Sequence, residues 1–272
     1  MPDEQPALLV FGAHPDDCEF TAAGLAALYA RQGGHVCFVS LTNGDAGHHE
    51  LGGAALARIR RKEAADAASV IGIESRVLDN HDGELLPTLD RRREVIAIIR
   101  AFRPDLILTP RPNDYHPDHR YTSTLVQDAA YMVTVPNVVA HAEHLARDPV
   151  IMYVSDRFQK PYPFTPSVLV DIGEVVEQKL EMLGKHASQV YEWLPYNGGY
   201  ADQVPQDREG RRAWLRSQYE PRLRSIADRF RDQLVERYGS ERGAAVEYAE
   251  AFEACEYGSP LTEEARTRLF PF

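Results

Sequence analysis

Cysteine is scarce in this sequence: Cys18, Cys37 and Cys255 are the only three in 272 residues. The number is odd, and no two are spaced as a Cys-x-x-Cys knuckle, which excludes a disulfide scaffold and a cysteine-built metal site. Cys37 lies in an apolar run and reads as a small core residue, and this usage fits a reducing, cytoplasmic setting. Long hydrophobic runs are also missing; none approaches the ~18–20 residues that span a bilayer. Met1 to Pro6 is polar and acidic, unlike the basic and apolar regions of a signal peptide. Positive charge is in the minority, 30 Lys and Arg against 41 Asp and Glu, for a formal net charge of -11. Such a surface repels nucleic-acid phosphates and anionic lipid, so neither is an expected partner.

What is present is an ordinary globular composition, 44% hydrophobic and 26% charged, enough to bury a core of normal size. The first half alternates short apolar runs with helical patterns. Ala7 to Ala13, Val36 to Leu41, Ser75 to Leu78 and Asp105 to Thr109 read as strands. Glu19 to Arg31, Ala54 to Ile71 and Arg91 to Phe102 read as helices between them. Continuous apolar strands separated by helices predict an α/β fold: a Rossmann-like, three-layer, mostly parallel sheet with helices on both faces. No Gly-x-Gly-x-x-Gly follows the first strand, which argues against a dinucleotide site. Further on, helices are expected over Tyr121 to Val133 and Ile172 to His186, and strands over Val150 to Val154 and Ser167 to Asp171. Tyr191 to Asp207 reads as a Tyr, Pro and Gly-rich loop, and Ala213 to Tyr238 as charged helix. Without repeats or linkers, residues 1–272 form one expected domain, with a core over about 7–190 and a C-terminal loop and helical elaboration over about 191–272.

Two motifs carry chemistry. His14-Pro15-Asp16-Asp17 begins where the first strand ends, and His116-Pro117-Asp118-His119 follows the fourth after a Pro-rich turn. Ligands in open α/β sheets bind beyond the carboxyl ends of strands, so both are well placed, and these two strands are expected neighbours at the switch point. Histidine nitrogen and carboxylate oxygen both bind zinc, and a catalytic zinc takes three protein ligands and keeps one open position. His14, Asp17 and His119 supply three, while Asp16 is left free to hold a water. The bland alternatives are an Asp helix cap for the first motif and an exposed polar loop for the second.

With these motifs, the sequence resembles the LmbE/PIG-L family of zinc-dependent de-N-acetylases (GlcNAc-phosphatidylinositol deacetylase-like). The resemblance extends to Thr42-Asn43-Gly44-Asp45, Arg60 to Glu63, Asp82-Gly83, His186-Ala187-Ser188-Gln189 and Ala249-Glu250-Ala251-Phe252. It implies a single Zn2+ on His14, Asp17 and His119. It implies Asp16 as general base and His116 as oxyanion stabiliser or acid, with Asp118 orienting an imidazole. It also implies Arg60 and Asp82 as sugar contacts, a small amino-sugar substrate such as an N-acetylglucosamine derivative, and a homo-oligomer, hexamer or trimer. The expected reaction is hydrolysis of an N-acyl group, with the amine leaving on a proton from Asp16 or His116. The alternatives are another small N-acyl or sugar-conjugate substrate, or a metal- or sugar-binding protein without turnover.

Other histidines are weaker signals. His141 and His144 read as a solvated helix face, and His48 and His49 as part of a mobile polar loop. His186 is read as a helix-end or pocket-wall residue. Trp193, Tyr191, Tyr196 and Tyr200 are candidates to cover the site or to pack on a neighbouring subunit.

Overall fold

The computed structural model describes residues 5–272. Seven strands form one sheet: β1 (Leu8–Gly12), β2 (Val36–Thr42), β3 (Glu74–Asn80), β4 (Leu106–Thr109), β5 (Val150–Val154), β6 (Val168–Asp171) and β7 (Ala249–Ala254). Their order is β3-β2-β1-β4-β5-β7-β6. The first five are parallel to one another, and β7 runs antiparallel between β5 and β6. Each strand residue faces one layer and the next faces the other, so a strand covered on both sides must be apolar throughout. β1 meets that demand: Leu8 and Val10 join one core layer, and Leu9 the other with Phe11. Leu9 is fully buried, and truncating such a residue to Ala costs about 2–5 kcal/mol.

Helices α1 (Asp17–Arg31) and α2 (Gly53–Ser69) follow β1 and β2; α3 (Leu89–Phe102) follows β3, and α4 (Pro117–Ala129) follows β4. α1 packs in the first layer with α5 (Val176–Lys185), and α3 packs with α4 in the second. The crossover therefore changes face between β3 and β4, and β1 and β4 become neighbours. This is the switch point at which an α/β sheet opens a crevice.

Three parts of the chain differ from the sequence expectation. Residues 191–207 are largely helical: a π-helical turn Ser188–Trp193, α6 (Leu194–Gly198) and a 3-10 turn Ala201–Gln203. Pro195 lies in the first turn of α6, where its missing N–H is not needed, and Gly199 ends it at φ 74°. The punctuation that reads as loop instead bounds a short helix. The C-terminal part is more than a loop and helical elaboration on a core ending near 190, because it threads β7 into the sheet. The sequence AEAFEA lacks a strand signature because of its two glutamates, and both meet cations: Glu250 lies 2.6 Å from Lys179 and Glu253 lies 3.7 Å from Arg111. His141 and His144 are exposed as expected, but on turn and irregular backbone and not on a helix. α7 (Arg208–Arg229) and a following helix Arg231–Tyr238 cover the charged helical stretch. No helix among the described residues is long and apolar enough to cross a membrane.

Candidate metal centre and active site

β1 ends at Gly12, where a Cβ would lie 2.7 Å from Cβ of Asp17 and 3.1 Å from Sγ of Cys18. Only glycine lets α1 double back so closely over the strand end. The intervening turn holds Asp16 at φ 148°, ψ -24°, a backbone conformation that side-chain-bearing residues rarely adopt and that stores strain. Asp17 opens α1, and its Oδ2 accepts from the backbone N–H of Ala13 and of His14, each at 2.8 Å.

The second motif is not a loop. Its helix starts at Pro117, earlier than the expected Tyr121, with His116 as N-cap accepting from Asp118 N at 3.2 Å. Proline at the first helical position and a polar cap explain the early start. His119 therefore projects from the first turn of α4 toward the end of β1.

The two motifs converge. His14 Nδ1 and His119 Nε2 lie 3.2 Å apart, and Asp17 Oδ2 is 3.3 Å from the latter and 3.5 Å from the former. Zinc bonds of ~2.0–2.1 Å at tetrahedral angles separate ligand atoms by about 3.3 Å, so two imidazoles and a carboxylate form a triangle of the right size for such an ion. A ring nitrogen of His116 comes within 4.8 Å of donors on His14 and His119. The other side of His14 faces Asp82 and Asp118: Nε2 is 3.0 Å from Asp82 Oδ1 and 3.3 Å from Asp118 Oδ2. Those two carboxylates also offer donors for a cation, but they are already committed. Asp118 accepts from the N–H of Gly83 and Leu85, and Asp82 lies 3.7 Å from Arg60. Both lie on the far side of the His14 ring, the side from which carboxylates orient metal-binding imidazoles. Asp118 thus faces the ring of His14, and it meets His116 only through its own backbone N–H.

Asp114 plays the same part for His119, with its Oδ1 3.2 Å from Nδ1 and 2.9 Å from His116 N. Sequence reasoning passed over it; a carboxylate two residues before the His-Pro-Asp-His motif is the signal that pointed there.

Arg60, on α2, is buried and aimed at the protein. It donates to Pro15 O at 2.9 Å and Gly44 O at 3.3 Å, and Nη2 lies 3.3 Å from Asp16 Oδ1. Gly44 has φ 68°, and a Cβ there would lie 2.4 Å from Nη1 of Arg60, so the Thr-Asn-Gly-Asp turn needs glycine to admit the guanidinium. His48 and His49 both make side-chain contacts. His48 contacts Glu192 at 3.0 Å, and His49 stacks on Tyr196 with centroids 3.8 Å apart. His186 is completely buried with Nε2 3.1 Å from Glu19, while Ser188 donates through its N–H and its hydroxyl to the Glu63 carboxylate and Gln189 donates to Gly47 O. Tyr115, 72% exposed, stands edge-on to His116 and His119 at the mouth.

The electrostatics of the bare site call for a cation. Burial works against a charged His119, yet Asp17 and Asp114 outweigh it and raise its pKa to about 10. His14 is likewise raised against burial by Asp118, Asp17 and Asp82. Asp17 is held well below the usual carboxylate range, burial being overcome by the two histidines. Asp16 differs: burial raises it to about 6, with Arg60 opposing and Asp17 reinforcing. His116 is lowered by burial and by the neighbouring histidines. The histidine protons take the place that a divalent ion would fill.

Residues 9–130 match the family model described as PIG-L, GlcNAc-PI de-N-acetylase. The diacetylchitobiose deacetylase of Thermococcus kodakarensis is 32% identical over 200 residues, 70% of this chain and 74% of the relative. The chain belongs to the PIG-L family. The N,N'-diacetylchitobiose deacetylase structure from Pyrococcus horikoshii superposes on this PIG-L chain with a TM-score of 0.70 and 26% identity, covering 93% of this chain and 84% of the other. The fold is shared more widely: the hydratase GalB from Pseudomonas putida KT2440 superposes with a TM-score of 0.72 at 22% identity, covering 95% and 99%. PIG-L membership therefore rests on the sequence match and on the His/Asp donor set more than on the fold.

Proposed function

We propose that this protein is a zinc-dependent hydrolase that removes an N-acetyl group from an amino sugar of the N-acetylglucosamine class. The observation that carries the reading is the convergence of His14 Nδ1, Asp17 Oδ2 and His119 Nε2 beside a carboxylate, Asp16, that is not one of the three. The relatedness to a diacetylchitobiose deacetylase supports the substrate class. A divalent ion held by those three residues would supply Lewis-acid polarisation of the amide carbonyl.

The remaining work falls to the chain. Asp16, with its pKa raised to about 6, is ionised at neutral pH and still basic enough to take a proton from the attacking water. Arg60 fixes its orientation from below. Because His116 Nδ1 accepts from Asp118 N, its Nε2 carries the proton of the neutral ring and is a donor for the developing oxyanion or the departing amine. Asp118 and Asp82 hold His14, and Asp114 holds His119. Asp82, beside Gly47, retains the role of a sugar contact in this proposal; Arg60 acts through Asp16.

The test is release of free amine from N-acetylglucosamine, its disaccharide and several conjugates, with and without chelator, for wild type and Asp16→Ala. Release that depends on both the ion and Asp16 is expected. Release indifferent to both refutes the mechanism. No release across an N-acetyl panel by folded, ion-loaded protein refutes the substrate class.

A further inference from the structure

Away from the metal centre, a groove of about 400 Å3 runs between α5 and α7. Its floor is apolar, built from Leu180, Ala187 and Leu215, with the Tyr191 ring at one side. Its rim is basic. Arg208, Arg211, Arg212 and Arg216 recur at helical spacing, so one face of α7 lines the groove with four arginines, two of which reach Glu177 on α5.

Two carboxylates answer them only in part. Glu177 is engaged by Arg212 and Arg216, and Glu181 by Lys185 at 3.5 Å. Among the described residues, Arg208 and Arg211 have no carboxylate partner. Arg211 is half-buried, donates through Nε to Pro205 O at 3.0 Å, and lies over Tyr191 with Cζ 5.2 Å from the ring centroid. On a chain of net charge -11, a groove lined by five cations and two carboxylates reverses the general sign of the surface.

We propose that this groove binds a small amphiphilic anion, its carboxylate or phosphate head on Arg208 and Arg211 and its apolar body on Leu180 and Leu215. Guanidinium forks match carboxylate and phosphate oxygens in pairs, and the volume lies within the ~300–1,000 Å3 usual for small-molecule sites. The groove also abuts the catalytic scaffold. Ala187 and Tyr191 line it, while Ser188 and Gln189 between them hold Glu63 and the Gly47 carbonyl of the cleft loop. An occupant therefore packs on the outer side of the turn whose inner side supports the active-site wall.

The site reports on itself, since the chain has two tryptophans and Trp214 sits 6.0 Å from Tyr191. Tryptophan fluorescence of the whole protein would be titrated with octanoate, octyl phosphate, octanol and inorganic phosphate. Saturable quenching or shift is expected with octanoate or octyl phosphate, the tighter of the two naming the head group. Octanol and inorganic phosphate are expected at least tenfold weaker. In Arg208→Gln/Arg211→Gln, with thermal melting checked, the affinity for the better amphiphile should fall at least about tenfold, because two charge-assisted hydrogen bonds are lost. Equal binding of octanol, equal binding of inorganic phosphate, no saturable response from any probe, or an unchanged affinity in the folded double variant would each overturn the proposal. None of these readouts uses the hydrolytic reaction, so failure here leaves the deacetylase reading intact.

Discussion

Asp16 is expected to be a residue whose loss changes the pH dependence of stability while abolishing catalysis. Two independent features lead there. Its carboxyl is buried beside Asp17 and its pKa rises from 3.8 to about 6, and its backbone sits at φ 148°. A raised acid pKa means that the folded state binds the proton more tightly than the unfolded state does. The associated stability is full below pH ~3.8 and is lost as pH climbs through about 6. At ~1.4 kcal/mol per tenfold change, the ion-free wild type should lose about 2 kcal/mol from this group between pH 4.5 and 7.5. Asp16→Asn does not titrate, so its stability relative to wild type should improve by that amount over the same range. The lost Arg60 contact adds only an offset that does not vary with pH. Separately, Asp16→Gly should be more stable than Asp16→Ala, because glycine relieves about 1–3 kcal/mol of backbone strain at a cost of up to about 1 kcal/mol in entropy. Denaturant unfolding in excess chelator measures both, and all three variants should lose about 10²–10⁴-fold in turnover. A flat pH dependence of the Asn-minus-Asp difference, or an Ala variant as stable as Gly, would refute the reasoning.

Three other predictions concern the ion and the sheet. Since His119 titrates near 10 and His14 is also raised in the ion-free site, zinc binding at pH 7 should release protons, close to two per ion, and affinity should climb with pH; calorimetry in buffers of different ionisation enthalpy counts them, and a count of zero contradicts the assigned ligands. In the same titration Asp114→Asn, which removes the charge behind His119 and leaves an amide oxygen to accept from His116 N, should weaken zinc about 10–100-fold without unfolding the chain. Glu250→Ala should destabilise by about 3–5 kcal/mol, because it strands the fully buried Lys179 and the backbone N–H groups of Gly24 and Leu25; the double change Lys179→Met/Glu250→Leu should recover part of that loss, and a single-variant cost under 1 kcal/mol would show the pair to be idle.

What was legible in the sequence followed the strength of local chemical signals. β1, β2 and β4 are buried at every position and apolar but for Ser40, Thr42 and Thr109, because both faces are covered, and such runs have few other readings. The convergence of His14, Asp17 and His119 was legible because each stands in a short polar motif immediately beyond one of those strands. β7 was hidden because its signal is non-local: Glu250 is tolerable in a buried strand only since Lys179, 71 residues away, lies 2.6 Å from it. The helical nature of 188–198 was hidden for a different reason, because proline and glycine mean a helix boundary or a loop depending on position within a turn. Arg60 shows the limit most clearly. Its place in a helix was readable, but the direction of its guanidinium depends on Gly44 having no side chain and on Asp16 adopting a conformation that local sequence disfavours. A residue expected at the sugar packs its guanidinium against the candidate base, and that contact exists only once two distant turns are folded against α2.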